Sequence, residues 1–408
     1  MTAIAVTFLV SCLGDGLAIT ALMLDFHDRA TGGFAITALF AAMSVPSIVL
    51  AGLAGRIADR YSARQVLPPV GVALVGVCAL MSLAHAVVLL VALFAVLSAL
   101  MAVVTPVFVK ALLAASPGPL MSRAGARISM ASSLGFLIGP ALGAMLMDAI
   151  GLRGVLLADA VTYLAVPLVA LVIPAPPSPT TTEQPGKPQT KSGLGPGLRI
   201  LLQQPPVAQI VVIGAVLTFT LQVTNVVEVY LVRDAYDATA TVFGLVTMAW
   251  AGGQIAGSGI AGRLLAERPT TRPALLLVIA ITAALLAIAA FDSLPGLFAL
   301  TVLAGGANGA FGVARQTTIG RAIAPTSQGS AAAAHAALLN TATIIALMSA
   351  GLVASVTAPR TVYALAGGTL LLTLSAIPLY RRAGHPQKPP AHAEPDNTSS
   401  PAAAIPTD

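Results

Sequence analysis

Apolar residues in this chain fall in long, nearly unbroken runs. Neither the two-residue alternation of a half-buried strand nor the narrow apolar stripe of a water-facing helix organises them. A helix needs about 20 apolar residues to cross roughly 30 Å of hydrocarbon. Runs of that kind lie near 3–24, 33–55, 66–86, 87–109, 127–148 and 154–173, and again near 207–232, 241–262, 273–291, 294–314, 331–356 and 361–380. The polar breaks within each set are short, which predicts antiparallel neighbours. Pro46, Pro106, Pro140 and Pro167 fall inside runs, where adjoining helices can re-satisfy the freed backbone groups. The one long internal break, 174–205, begins PAPPSPTTTEQPGKPQTKSG. A segment of that composition cannot bury a core and is expected to be a flexible linker. The expected architecture is an all-α membrane protein of twelve transmembrane helices in two pseudo-symmetric six-helix bundles. The first bundle covers 1–173 and the second 206–381, with a disordered tail over 382–408.

Composition reinforces this reading. Of 408 residues, 57% are hydrophobic and 9% charged, against about 25% charged in soluble domains, so the apolar surface must face lipid. The net charge of +6 does not suggest nucleic acid, because the basic residues are neither clustered nor interleaved with aromatics. They sit between the runs. With a cytoplasmic N-terminus, all but four of the 21 Lys and Arg lie on the cytoplasmic side, the exceptions being Arg29, Arg153, Arg233 and Arg360. That bias predicts both termini in the cytoplasm and an even number of spans. The first run has no preceding Lys or Arg, is interrupted by Asp15 and lacks a clean small-residue cleavage site, so it reads as a span and not a signal peptide. Cys12 and Cys78 lie inside runs and suggest neither a disulfide framework nor a metal site.

The two sets of runs look related. Residues 51–67, AGLAGRIADRYSARQVL, follow the second run of the first set, and residues 258–276, SGIAGRLLAERPTTRPALL, follow the second run of the second. Both read Ala-Gly-Arg, a hydrophobic residue, an acid–Arg pair and further Arg. Repeats at corresponding positions of two halves characterise many transporters.

The loop segment Gly55-Arg-Ile-Ala-Asp59-Arg60-Tyr-Ser-Ala-Arg64, the span-five segment Gly135-Phe-Leu-Ile-Gly139-Pro140-Ala-Leu-Gly143 and the six-plus-six layout together resemble the major facilitator superfamily. Leu13-Gly14-Asp15 and Asp159-Ala-Val-Thr-Tyr are further similar to its bacterial drug- and siderophore-exporting branch, with macrolide-efflux and enterobactin-exporter relatives. The resemblance covers residues 3–381. It departs from the family pattern at Ser62, Ala63 and Gln65 in the loop and at Ala144 in span five. Only two residues precede span one, where relatives carry a longer basic segment, so Met1 need not be the true start. The resemblance implies that Gly55, Asp59, Arg60 and Arg64 latch one transport state. It also implies that the Gly135, Gly139, Pro140 and Gly143 stripe seals the two halves, a feature the family associates with export. Ordinary positive-inside charge and generic small-residue packing are the competing readings.

Asp15 lies about twelve residues into span one, roughly 18 Å deep. A charge near the bilayer centre costs at least about 2.5–3.5 kcal/mol, so Asp15 needs a partner or a water-filled cavity. Thr7, Ser11 and Asp15 form a short polar stripe expected to face inward. Thr218, Gln222, Asn225 and Glu228 form one on span seven, and Thr301, Asn308 and Arg315 one on span ten. The candidate proton or substrate site is therefore Asp15, Gln222, Asn225, Glu228 and Asn308. A structural, hydrogen-bonded Asp15 is the alternative, and Glu228, near the outer end, reads equally as solvated. Asp159 reads as a helix-end residue, and His335 and Asn340 as cavity or interhelical groups.

No phosphate-binding loop, metal-ligand cluster or Ser/His/Asp arrangement is found, and GGANGAFG over 305–312 lies inside a span. No cofactor and no enzymatic activity are expected. The expected function is a secondary active exporter of a small lipophilic or amphipathic compound, driven by proton antiport. The expected partners are the substrate, protons and the lipid bilayer of the cell (plasma) membrane, and the expected state is a monomer. An uptake symporter or facilitator of the same fold is the alternative, followed by a non-transporting receptor or assembly protein.

Overall fold

Most apolar runs fold as helices that end where the polar breaks lie. The computed structural model describes residues 2–114, 120–172, 194–264, 271–323 and 327–383, and among these the regular structure is entirely helical. The first four runs become α1 (Thr2–Asp28), α2 (Gly33–Arg60), α3 (Ala63–Leu83) and α4 (Val87–Ala114). The tight α2–α3 connection is held by a capping box, in which Gln65 Oε1 accepts from the Ser62 backbone at 3.0 Å and from its hydroxyl at 3.1 Å.

The expected fifth and sixth spans share one helical stretch, α5 (Leu120–Tyr163), followed by α6 (Ala165–Val172). The chain turns within α5 at Gly151, whose φ of 67° favours glycine. Packing against α1 shows that this turn is a reversal. Gly135 meets Cys12, Gly139 meets Gly16 and Gly143 meets Leu17, so this part of α5 ascends with α1. After the turn, Val155 packs with Leu17 and Ala21, and Tyr163 bonds back to Asp15. Helix α1 is thus held between the two antiparallel limbs of α5.

The second part of the chain holds α7 (Leu194–Gln203), α8 (Pro205–Tyr230) with a π-helical turn (Leu231–Ala235), α9 (Ala240–Leu264), α10 (Thr271–Ala290), α11 (Leu294–Ala322), α12 (Gln328–Val356) and α13 (Pro359–Ala383). Helix α7 lies in the stretch expected to be flexible linker. It folds because Leu201 is buried with Val207, Val211 and Ala334, and because Gly197 lets its backbone approach Ser330. Residues 174–193 of the expected linker and 384–408 of the expected tail lie outside the described residues.

Among the described residues, nine helical stretches are long and apolar enough to cross a bilayer, one of which, Met130–Ala170, contains the Gly151 reversal. Helices α9 and α13, expected as spans, are not among them. Glycines dilute the hydropathy of α9, and the side chains of α13 beyond 376 lie outside the described residues. Large apolar side chains such as Val72, Val88, Met348 and Leu372 point outward, as lipid contact requires.

Helices on either side of residue 173 pack chiefly within their own half, and the halves meet along α5–α9 and α2–α12. Both contacts lie toward one end. Gly244 abuts Pro140, Ala141 and Ala144, while Gly33 abuts Ala354 and Gly351 abuts Phe34 and Thr37. Further along, Gly252 lies beside Leu137. Among the described residues, a Cβ at Gly259 or Gly262, or at Gly52 or Gly55 on α2, would meet no atom within 4 Å. Among the described residues, the halves therefore meet at one end and stand apart at the other.

Candidate functional site

Three cavities lined by residues of both parts of the chain lie between the halves. The one nearest the closed end, about 230 Å³, is lined by Phe40, Phe136, Phe243, Trp250, Tyr363 and Glu228, with Asn225, Thr224, Thr247 and Thr301. The second, about 580 Å³, is lined by Asp15, Gln222, Thr218, Asn340 and several small hydroxyl residues. The third, about 470 Å³, holds Asn308, Arg315, Gln316, Gln254 and Ser258. Phe136 lines all three, so the cavities adjoin around its side chain as lobes of the central region.

The polar stripes on α8 and α11 line these lobes, because residues spaced three or four apart share one helix face. Gln222 and Asn225 bridge two lobes through an Asn225 Nδ2–H to Gln222 Oε1 bond of 3.0 Å. The α1 stripe behaves differently. Asp15 lines the second lobe, but Thr7 and Ser11 are buried away from it.

Asp15 Oδ1 accepts from the Tyr163 hydroxyl at 2.5 Å. The bond depends on the Gly151 reversal, which brings a residue 148 positions away onto α1. Asp159, one turn before Tyr163, is fully buried and accepts from the Thr162 hydroxyl at 3.1 Å and the Cys78 thiol at 3.4 Å. A Cβ at Gly14 would overlap its carboxylate, so glycine admits the acid to the face of α1. The expectation of a helix-end role for Asp159 is corrected by this burial.

Glu228 is not in open solvent, as a position near a helix end had suggested. Its carboxylate faces the aromatic lobe, with no hydrogen bond or ion pair to it among the described residues. The chain beyond it covers the lobe. His27 Nε2 lies 2.7 Å from Asp234 and Arg233 donates to Asp28 at 3.0 Å, each linking the two halves. Asp148 Oδ2 also accepts from the Thr241 hydroxyl at 2.7 Å. Neighbouring turns are tied in by Arg29 to the His85 carbonyl and by Arg360 to Asp292, both at 2.5 Å.

The span-five stripe is placed differently from the expected seal between halves. Gly135, Gly139 and Gly143 face α1 within the first half, each with room for no Cβ against its backbone. The other half is met by the neighbouring face, Pro140, Ala141 and Ala144. Residue spacing identifies a small-residue face but not its partner, which here is set by the helix that the Gly151 reversal wraps. In the loop motif, a Cβ at Gly55 would meet nothing within 4 Å among the described residues, and Arg60 lies 5.9 Å from the Tyr61 ring. Arg64 has an interaction partner, and the Asp59 side chain lies outside the described residues. Asn340 lines the second lobe, while His335 has a buried Nε2 without a hydrogen-bond partner.

The polar-stripe reading missed the aromatic wall of the first lobe. Phe40, Phe136 and Tyr363 come from three different helices, and only Phe243 and Trp250, seven residues apart on one face of α9, share a local pattern. Tyr163, by contrast, was readable within the Asp159-Ala-Val-Thr-Tyr segment, although its pairing with Asp15 was not.

The pattern of the Major Facilitator Superfamily matches residues 4–232 and 210–406, and the chain belongs to that family. The nucleoside transporter NupG is similar in structure, with a TM-score of 0.70 at 18% identity over 94% of this chain and 98% of that one. A bacterial homologue of the iron transporter ferroportin, in an inward-facing state, gives 0.71 at 12% identity over 93% and 98%. A POT family transporter in complex with a thioalcohol-conjugated peptide gives 0.73 at 10% identity over 93% and 95%. At these identities the likeness shows the fold. No curated protein sequence matches the chain. The family and these neighbours indicate a multi-pass membrane transporter rather than an enzyme.

Proposed function

We propose that this chain is a secondary active exporter of a small lipophilic or amphipathic compound, exchanging it for protons by alternating access in the plasma membrane. The observation that carries the reading is Asp15. It is a carboxylate on the wall of a central space closed at one end, held by a neutral hydroxyl and not by a cation. Such a group can bind a proton or a cationic substrate as the space changes sides. The Tyr163 hydroxyl stands in for water when the space closes and keeps the ionised carboxylate hydrogen-bonded.

In this reading, twelve spans form two bundles, 1–173 and 206–381, that rock about the central space, with both termini in the cytoplasm and a monomer as the working unit. The splayed end then faces the cytoplasm, where substrate enters as a proton leaves Asp15. The closed end faces outward and opens when the halves rock the other way. Gly52, Gly55, Gly259 and Gly262 supply the small surfaces for closure at the splayed end, and the Asp59–Arg64 segment latches it. Export is the direction favoured by the apolar character of the lobes.

The test is efflux of a fluorescent amphipathic dye from energised cells. Wild type is expected to lower dye accumulation, a protonophore to abolish the effect, and Asp15→Asn to be inactive while present in the membrane at normal levels. Export by Asp15→Asn equal to wild type would remove Asp15 from the mechanism.

A further inference from the structure

We propose that the aromatic lobe is a subsite for an organic ammonium group carried on an apolar body, with Glu228 as its counter-ion. The proposal deepens the exporter reading and rests on the central space being the transport site.

The lobe brings together three features that point to one chemistry. The first is a carboxylate without a protein cation: among the described residues nothing donates to Glu228 or pairs with it. An anion removed from water without a partner is costly, and a cationic ligand supplies the missing charge. The second is the wall. Five aromatic residues surround a space of about 230 Å³, and ring faces attract alkylammonium groups while tolerating the methyl or methylene groups attached to them. The third is closure. The His27–Asp234 and Asp28–Arg233 pairs cap the end beyond Glu228, so a cation seated there lies away from bulk water, where both attractions strengthen.

The volume accepts an ammonium head and a few attached carbons, and the larger second lobe, which shares Ile19, Met43 and Phe136 with it, lies next to it to take the apolar remainder. The lobe contains one carboxylate and no basic residue, so it selects against anions. The only arginine in the lining of the three lobes, Arg315, belongs to the third. Gly214, which packs on the Arg315 side chain, is fourteen residues before Glu228 on α8, about 21 Å along the helix.

Trp250 is the only tryptophan of the chain and lines this lobe, so its fluorescence reports occupancy directly. The purified full-length protein in detergent is titrated with (4-nitrobenzyl)trimethylammonium, a nitroarene quencher, and with its uncharged isostere in which carbon replaces the ammonium nitrogen. The expected result is saturable quenching by the cation and at least tenfold weaker binding of the isostere. Glu228→Gln is expected to bind the cation at least tenfold more weakly with isostere binding unchanged, and Glu228→Asp to retain part of the cation preference. Unchanged emission and thermal unfolding of the variants without ligand show that the lobe is intact. Equal binding of cation and isostere by the wild type, cation affinity retained in Glu228→Gln, or no saturable quenching by the cation would each overturn the proposal. The measurement needs no gradient. Failure of export or of proton coupling therefore leaves it untouched, and an exporter that shows no cation preference here loses only the substrate assignment.

Discussion

The two ends of this molecule are built from the same small residues and arranged in opposite ways. At the closed end, glycines are packed to the limit. A Cβ on Gly244 would lie 2.6 Å from Ala144 Cβ and 2.8 Å from the Pro140 carbonyl, and one on Gly33 would lie 2.6 Å from Ala354 Cβ. Polar links between the halves lie over this packing. At the splayed end, Gly52 and Gly55 on α2 and Gly259 and Gly262 on α9 occur at matching places in the Ala-Gly-Arg repeat, and a Cβ at any of them would meet nothing within 4 Å among the described residues. The difference teaches that the repeat carries the capacity to pack at both ends, and that the conformation decides which end uses it.

The largest effect is expected where the packing is tightest. Gly244→Leu forces a side chain into the α5–α9 contact, where both neighbours are close to backbone. Overpacking of this kind costs about 1–3 kcal/mol. The variant should unfold several degrees below wild type and lose export, and cysteine labelling should show the closed end accessible. Normal stability with normal labelling would mean that the closure is not held there.

An intermediate effect is expected from the ion pairs above it. Arg233 and Asp28 are both partly exposed, and such pairs contribute about 0.2–1 kcal/mol after solvent screening. A double-mutant cycle with Arg233→Ala and Asp28→Ala should return a coupling in that range which shrinks in high salt. Coupling indistinguishable from zero at low salt would assign closure to the apolar contacts alone.

The smallest effect on stability sharpens the contrast. Gly55→Leu and Gly262→Leu place side chains in open space, so the unfolding temperature should stay within the spread of neutral surface changes, about 0.5 kcal/mol. Export should nevertheless fall, because the added side chains block closure of that end. A drop in stability like that of Gly244→Leu would show that the splayed end is already packed in solution.

Much of this was legible in the sequence, for reasons that also explain the rest. Lipid as solvent leaves its mark on every span, so the apolar runs located the helices. The polar positions on α8 and α11 were legible as faces that line the central space. What one strand of text cannot carry is which face meets which. The glycine stripe of span five was visible, but its partner, α1, depends on a reversal at Gly151 that joins two expected spans into one helical stretch. The aromatic wall gathers residues from four helices, and only Phe243 and Trp250 share one. Helix α7 was hidden by the Pro- and Gly-rich text around it, because its stability comes from Leu201 packing against α12 and not from its own composition.

The Asp15–Tyr163 hydrogen bond has a consequence for biosynthesis. Its two partners are 148 residues apart. At synthesis rates of about 5–20 residues per second, the first helix emerges roughly 7–30 s before the hydroxyl that completes it. During that interval a carboxylate that disfavours the bilayer centre by about 2.5–3.5 kcal/mol has neither Tyr163 nor the glycine face of α5 to shelter it. The first helix therefore carries this cost uncompensated until α5 arrives to enclose it.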